Sequence, residues 1–151
     1  MDDELVVPDD FVAPSGLRVN MLLCDSAQAI NGRLFVLGGG MSVVGPKAQP
    51  LAIAIHVTVP WDRANIRHTW NLELVDEDGR PVMMGDKAVS VTGQFEAGRP
   101  AGLRAGTPLG VALAINLTAL RLEPGGGYSF VFGIDGETRP EWRTQLFVKT
   151  A

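Results

Sequence analysis

Short apolar runs with a period of two, each cut off by glycine or proline, constrain this chain more than any other feature of its sequence. In Leu51–Val59 the residues Leu51, Ile53, Ile55, Val57 and Val59 alternate with Ala52, Ala54, His56 and Thr58. In Leu109–Leu117 the leucines, Val111 and Ile115 alternate with Gly110, Ala112, Ala114 and Asn116. A period of two puts successive side chains on opposite faces of a strand, whereas an amphipathic helix needs apolar residues three and four apart. The same alternation recurs in Leu17–Leu23, Arg33–Leu37, Trp70–Leu74, Val89–Phe95, Tyr128–Ile134 and Trp142–Val148. About eight such strands with one-sided apolar faces predict an all-β fold, a two-sheet antiparallel β-sandwich of immunoglobulin-like or C2-like type with little helix.

The punctuation gives the turns. Asn31-Gly32, Asp76–Gly79 and Asp135-Gly136 carry tight-turn chemistry, and Glu123–Gly127 and Glu96–Pro108 are glycine- and proline-rich loops. Ser26–Gly32 reads as a connection between the first strand, ending at Cys24-Asp25, and the second, from Arg33 to Leu37; these two are expected to form a hairpin or a corner. Gly38–Gly40 stops the second strand. No Gly-Lys-Ser/Thr follows and no helix starts there, so a bulge or tight crossing is expected rather than a phosphate cradle. Met41–Val44 is expected to resume the strand, and Leu51–Val59, the most continuously apolar run, to be central.

A chain of 151 residues, 46% of them hydrophobic, suffices for one domain with its own core. The division expected is an acidic tail, residues 1–16, and a single sandwich domain, 17–151. The tail holds Asp2, Asp3, Glu4, Asp9 and Asp10 without a base; setting those five aside leaves 12 of the 17 acids against 13 bases, so the body is nearly neutral. Such a body has no basic field for nucleic acid or anionic lipid. No apolar run reaches the roughly 20 residues that span a bilayer, and the acidic start is unlike a secretory leader. With a single cysteine, Cys24, and hence no internal disulfide, a cytoplasmic location is expected. Leu5, Val6, Val7, Phe11 and Val12 give the tail apolar residues enough to lie along a sheet edge.

The densest mixture of aromatic and hydrogen-bonding side chains precedes the strand at Trp70. Trp61, Asp62, Arg63, Asn65, Arg67 and His68 stand in one loop, and Glu96 and Arg99 begin another. Indole faces offer broad contact area with one donor edge, and guanidinium and carboxylate forks match in geometry. These eight residues are the candidate ligand- or partner-binding set, an ion network locking the two loops being the plainer account of their charges. Trp70 and Trp142 are in step with core residues instead. Cys24 with His56 or His68 provides the ingredients of a nucleophilic site but no recognised nucleophile setting, and neither spacing nor number suits zinc. Asp76, Glu77 and Asp78 lack the spacing of a calcium loop and are expected to be a solvated turn. No catalytic residue, metal or cofactor is assigned.

The segments VNMLLCDSAQ, RLFVLGGG, PWDRANIRHTWNLELVDEDGRPV and EAGRPAGLRAGTPLGV together resemble a family of short uncharacterised bacterial proteins, typical of actinomycetes and classed as a domain of unknown function. The resemblance covers most of residues 17–149, implies an all-β protein, and transfers no catalytic residue. The leading expectation for function is therefore a non-enzymatic binding or assembly module with an unidentified protein partner, a homodimer being one form of assembly. The alternative is a binder of a small ligand, a sugar or a nucleotide, using the Trp61–His68 loop; the third class is a hydrolase using Cys24 or a histidine. A concave pocket at Trp61 favours the ligand reading, and a flat apolar face favours the module.

Overall fold

β5 (Gln49–Val59) has apolar side chains on its inner face that leave water almost completely: Leu51 is 2% exposed and Ile53, Ile55, Val57 and Val59 are fully buried. It is the centre of a three-stranded sheet, paired antiparallel with β1 (Arg18–Cys24) on one side and β10 (Leu109–Leu120) on the other. The second sheet has the order β4-β12-β11-β6-β9, comprising Val43–Val44, Glu137–Val148, Gly127–Ile134, Arg67–Asp76 and Ser90–Glu96 respectively. These descriptions come from a computed structural model and concern residues 16–150; residues 1–15 of the expected acidic tail, and any run of them along a sheet edge, lie outside the described residues.

The two sheets close on one core. Leu23, Ile53, Ile55, Val57 and Ile115 meet Leu72, Leu74, Phe130, Phe132, Trp142 and Leu146 in a single apolar cluster. The Trp70 ring stacks on Phe132 at 5.9 Å. Opposite Trp70 in the β6–β9 ladder stands Gly93, where a Cβ would come within 2.6 Å of the indole, so this glycine is the space that the ring fills. The strand order β1-β5-β10 opposite β9-β6-β11-β12 corresponds to strands A-B-E opposite C′-C-F-G of immunoglobulin-type sandwiches. The sandwich expected from the alternation is present, and the only helical turn among the described residues is the 3-10 segment Trp61–Arg63.

Three details differ from the expectation. Among the described residues twelve strands replace about eight, because β4, β7 (Met83–Met84) and β8 (Lys87–Ala88) are two residues each and because Ser26–Ile30 is itself a strand, β2. β3 (Arg33–Leu37) therefore pairs with β2 and not with β1. The alternation in β2 escapes notice because its inward residues are alanines. Ala27 packs with Cys24, Ala52 and Ala54 under Leu34 and Val36, and only small side chains let the hairpin lie that close to the outer face of the first sheet. Thirdly, β4 runs parallel to β12, so the second sheet is not wholly antiparallel.

Asn31 and Gly32 both have positive φ, 52° and 74°, as the two-residue turn closing β2 and β3 requires. The hairpin is fastened at its far side by Asn116 of β10, whose amide accepts from the Ala27 N–H at 3.2 Å and donates to the Ala27 carbonyl at 2.9 Å. Gly38–Gly40 makes the expected tight crossing back to the sandwich. A side chain at Gly38 would collide with the Asp25 carboxylate, and the Gly40 N–H donates to the Leu23 carbonyl at 2.8 Å.

Phe130 is 1% exposed at the centre of the aromatic face. Phe130→Ala is expected to cost about 3–5 kcal/mol in urea unfolding, since the lost transfer energy is joined by that of the cavity left behind. A loss below about 1 kcal/mol would place this ring outside the core.

Candidate functional site

The loop after β5 is shaped by its backbone. Pro60 leaves the strand in an extended conformation, Trp61–Arg63 makes one 3-10 turn, and Asn65 takes φ 62° so that its N–H reaches the Ala97 carbonyl at 2.7 Å. That bond ties the loop to the segment leaving β9. Arg99 reinforces it: its guanidinium lies over the Trp61 ring at 4.4 Å, while Nε and Nη2 donate to the Trp61 carbonyl at 3.2 and 2.6 Å. Arg67 and Glu96, cross-strand neighbours, approach to 4.0 Å. Both side chains are well exposed, so this pair contributes at most about 1 kcal/mol, and the Trp61–Arg99 clasp is the stronger element.

Five of the eight selected residues, Trp61, Asn65, Arg67, Glu96 and Arg99, thus meet at one corner of the sandwich. Asp62 joins Trp61 along a groove of about 460 Å³ bounded by Gly16, Thr58, Pro60 and Pro108. Arg63 and His68 belong to a neighbouring arrangement. His68 is 2% exposed, stacks on Phe95 at 5.1 Å, and holds Nδ1 2.6 Å from Oδ2 of Asp135. A carboxylate only accepts, so Nδ1 carries the proton, and Nε2 is left buried without a partner. The Thr69 N–H donates to Oδ1 of the same carboxylate at 2.9 Å, and the Asp135 N–H donates to the Thr69 carbonyl at 2.7 Å. Asp135, at φ 51° in the turn joining β11 to β12, therefore binds that turn to the start of β6.

Burial by itself would raise the Asp135 carboxyl's pKa; the His68 and Thr69 hydrogen bonds and the charges of His68 and Arg63 outweigh it and hold the group below the usual carboxylate range. Asp135 escapes a reading of the sequence as anything but turn chemistry. Its one signal is a carboxylate in a left-handed turn position that glycine or asparagine fills as well.

The remaining candidates are placed as follows. Cys24 is fully buried beneath the hairpin, its Sγ 3.6 Å from the Ala52 carbonyl, and burial, with Asp25 beside it, pushes the thiol's pKa up and so keeps it protonated. His56 lies four residues along β5 from Ala52, about 13 Å at the strand rise, and its ring packs where a Cβ on Gly110 would stand. Asp76 accepts from the N–H groups of Asp78 and Arg80, both at 2.9 Å, and Glu77 from that of Gly127 at 2.8 Å, so the acidic turn spends oxygens on its own backbone and on the start of β11. Among the described residues no group of three or more His, Cys, Asp or Glu side chains is arranged to hold a metal. The acidic turn borders a surface depression of about 930 Å³, lined also by Tyr128, Thr144 and Arg143. No described helix is long and apolar enough to cross a membrane.

Because the Asp135 pKa is lower in the folded chain, its charge stabilises the fold at pH values above the ordinary unfolded value of about 3.9, and that contribution is lost as pH falls through the lower folded value. In urea titrations between pH 6 and pH 2 the wild type is expected to be more stable than Asp135→Asn at the upper end. The gap should narrow below about pH 4. A gap independent of pH would show that the carboxylate's charge has no part in the tie.

No curated protein and no solved structure matches this chain. The model of one family matches residues 20–149, which takes in both sheets apart from the first two residues of β1, and both loops of the Trp61 corner. The chain belongs to that family, DUF6941, a family of unknown function.

Proposed function

We propose that this chain is a non-enzymatic protein-binding module, working in the cytoplasm, whose contact face is the outer side of the β2–β3 hairpin. The observation that carries the reading is an apolar surface on a braced platform: Ile30, Phe35 and Leu37 are 48%, 49% and 70% exposed on the hairpin that Asn116 and the alanine layer fasten to the sandwich. Scattered exposed apolar residues need no explanation, but three large ones on one short hairpin form a patch of the kind that marks interaction sites. Arg33, with its guanidinium 5.7 Å above the Phe35 ring, adds an anchor for a carboxylate or carbonyl at the rim. The partner that fits is a protein surface with an apolar depression and an acceptor beside it. A free, buried Cys24 suits a reducing compartment.

The groove at Trp61 supports a second reading, a small-ligand site, since it is concave and lined by both Trp61 and Asp62. Arg99 already covers one face of that indole, which leaves less ring for a sugar or a base to stack on.

The test compares wild type with Phe35→Ser/Leu37→Ser as bait in extracts of the source organism. The double variant is expected to melt within a few degrees of wild type, because both side chains are exposed, and to lose a partner that the wild type retains. Capture unaffected by the substitutions would remove the hairpin reading. Titration of Trp61→Phe and wild type with nucleotides and sugars addresses the groove: saturable binding to wild type, lost in the variant, would favour the small-ligand site.

A further inference from the structure

β10 differs from every other edge of the two sheets. Its sequence, LGVALAINLTAL, holds twelve residues with neither a charge nor a proline, and only β5 pairs with it among the described residues. The inward residues of the two strands are register partners: Val111 faces Val57, Leu113 faces Ile55 and Leu117 faces Leu51. The β5 members are buried, whereas Val111, Leu113 and Leu117 are only half-buried, as the outermost strand of an unfinished sheet must leave them. In an immunoglobulin-type order the neighbour of this strand is D, and no described strand occupies that place. Beside its first residues runs a cleft of about 490 Å³, lined by Gly110–Ala112, by the segment from Glu96 to Pro100 and by Gly32 at the tip of the hairpin.

Natural sheets blunt exposed edges by charge, proline, shortness or cover. The other edges of the sandwich show such devices. β1 carries Arg18 and Asn20 and lies against Glu141 and Trp142; β9 ends in Glu96, paired to Arg67; β4 is two residues long. Along Leu109–Leu117 β10 carries neither charge nor proline, and among the described residues no strand pairs with its outer side; the bulge between Leu117 and Leu120, with Ala119 at φ 55°, limits how far it can pair.

We propose that β10 is the self-association edge of this protein, joined antiparallel to β10 of a second copy about a twofold axis through Leu113. In that register Leu113 faces its counterpart, Val111 faces Ile115 of the second copy, and Leu109 faces Leu117. Opposed residues are always an even number of positions apart, so the outward N–H and C=O groups of one copy meet those of the other whichever residues carry them. No like charges come face to face, because the stretch has none. The two three-stranded sheets become one of six strands, and Val111, Leu113 and Leu117 gain the apolar neighbours that β5 already has. The near-neutral body adds little repulsion between copies.

Sedimentation equilibrium of the full chain is expected to show a reversible dimer. Leu113→Lys sets two like charges opposite one another and should raise the dissociation constant at least about tenfold, with an unchanged circular dichroism spectrum. If that variant fails to fold, cysteine variants still decide the matter. Leu113→Cys should form a disulfide-linked dimer under mild oxidation, since opposed Cα atoms lie within the range a disulfide bridges. Val111→Cys should not, because the two copies of that position would stand about 13 Å apart along the ladder. Cys24 is sealed in the interior and does not compete. Phe35→Ser/Leu37→Ser should leave the dimer intact, which separates this edge from the hairpin face. A monomer at all concentrations, or a dimer in which Val111→Cys cross-links as readily as Leu113→Cys, overturns the proposal.

Discussion

Everything in this fold leans on the contact between the inner face of β5 and the aromatic wall that β11 and β12 set opposite it. Five aliphatic residues of β5, none more than 2% exposed, meet Phe130, Phe132 and Trp142, and each such side chain contributes roughly 1.5–3 kcal/mol by leaving water. β5 keeps this position because it is the middle strand of its sheet, hydrogen-bonded on both edges. The strands beside it inherit their register from it, and the loops that hold the candidate sites begin where it and its partners end.

The opposite face of the same strand explains the hairpin. Ala52 and Ala54 of β5, with Ala114 of β10, form a shallow floor on which Ala27, Leu34 and Val36 settle. Larger residues in the floor would lift the hairpin away, and the two bonds from Asn116 to Ala27 would then be out of reach. One strand thus supports two layers: an aliphatic side that drives the sandwich together, and a small-residue side that carries a braced platform with apolar residues facing outwards. The platform sits above β5 and β10, and the edge of β10, unpaired among the described residues, is a separate feature of the same sheet.

The polar residues around the Trp61 corner share a role that their composition conceals. Arg99 spans from one loop to the other through an indole face and a main-chain carbonyl, and Asp135 spans from one turn to the first residues of β6. These contacts hold the ends of strands whose middles are held by the core. His68 is part of that bracing, enclosed with Phe95, while Asp62 and Trp61 line the groove.

Strand positions, inward faces and turns are properties of the sequence by itself. A period of two needs no partner to be recognised, and Asn31-Gly32 and Asp135-Gly136 take left-handed conformations that most residues resist. The central place of β5, the inward aromatic run of β11 and the tight crossing at Gly38–Gly40 follow from such local patterns. What only the tertiary structure decides is which distant residues meet. Asn116 and Ala27 are 89 positions apart, His68 and Asp135 are 67, and Arg99 and Trp61 are 38. Gly93 has meaning only once Trp70 stands opposite it, and β2 is a strand only because an alanine floor awaits it. Periodicity is written along one chain, whereas a hydrogen bond or a fitted ring depends on two segments, and a second segment's position is set by the packing of the whole core.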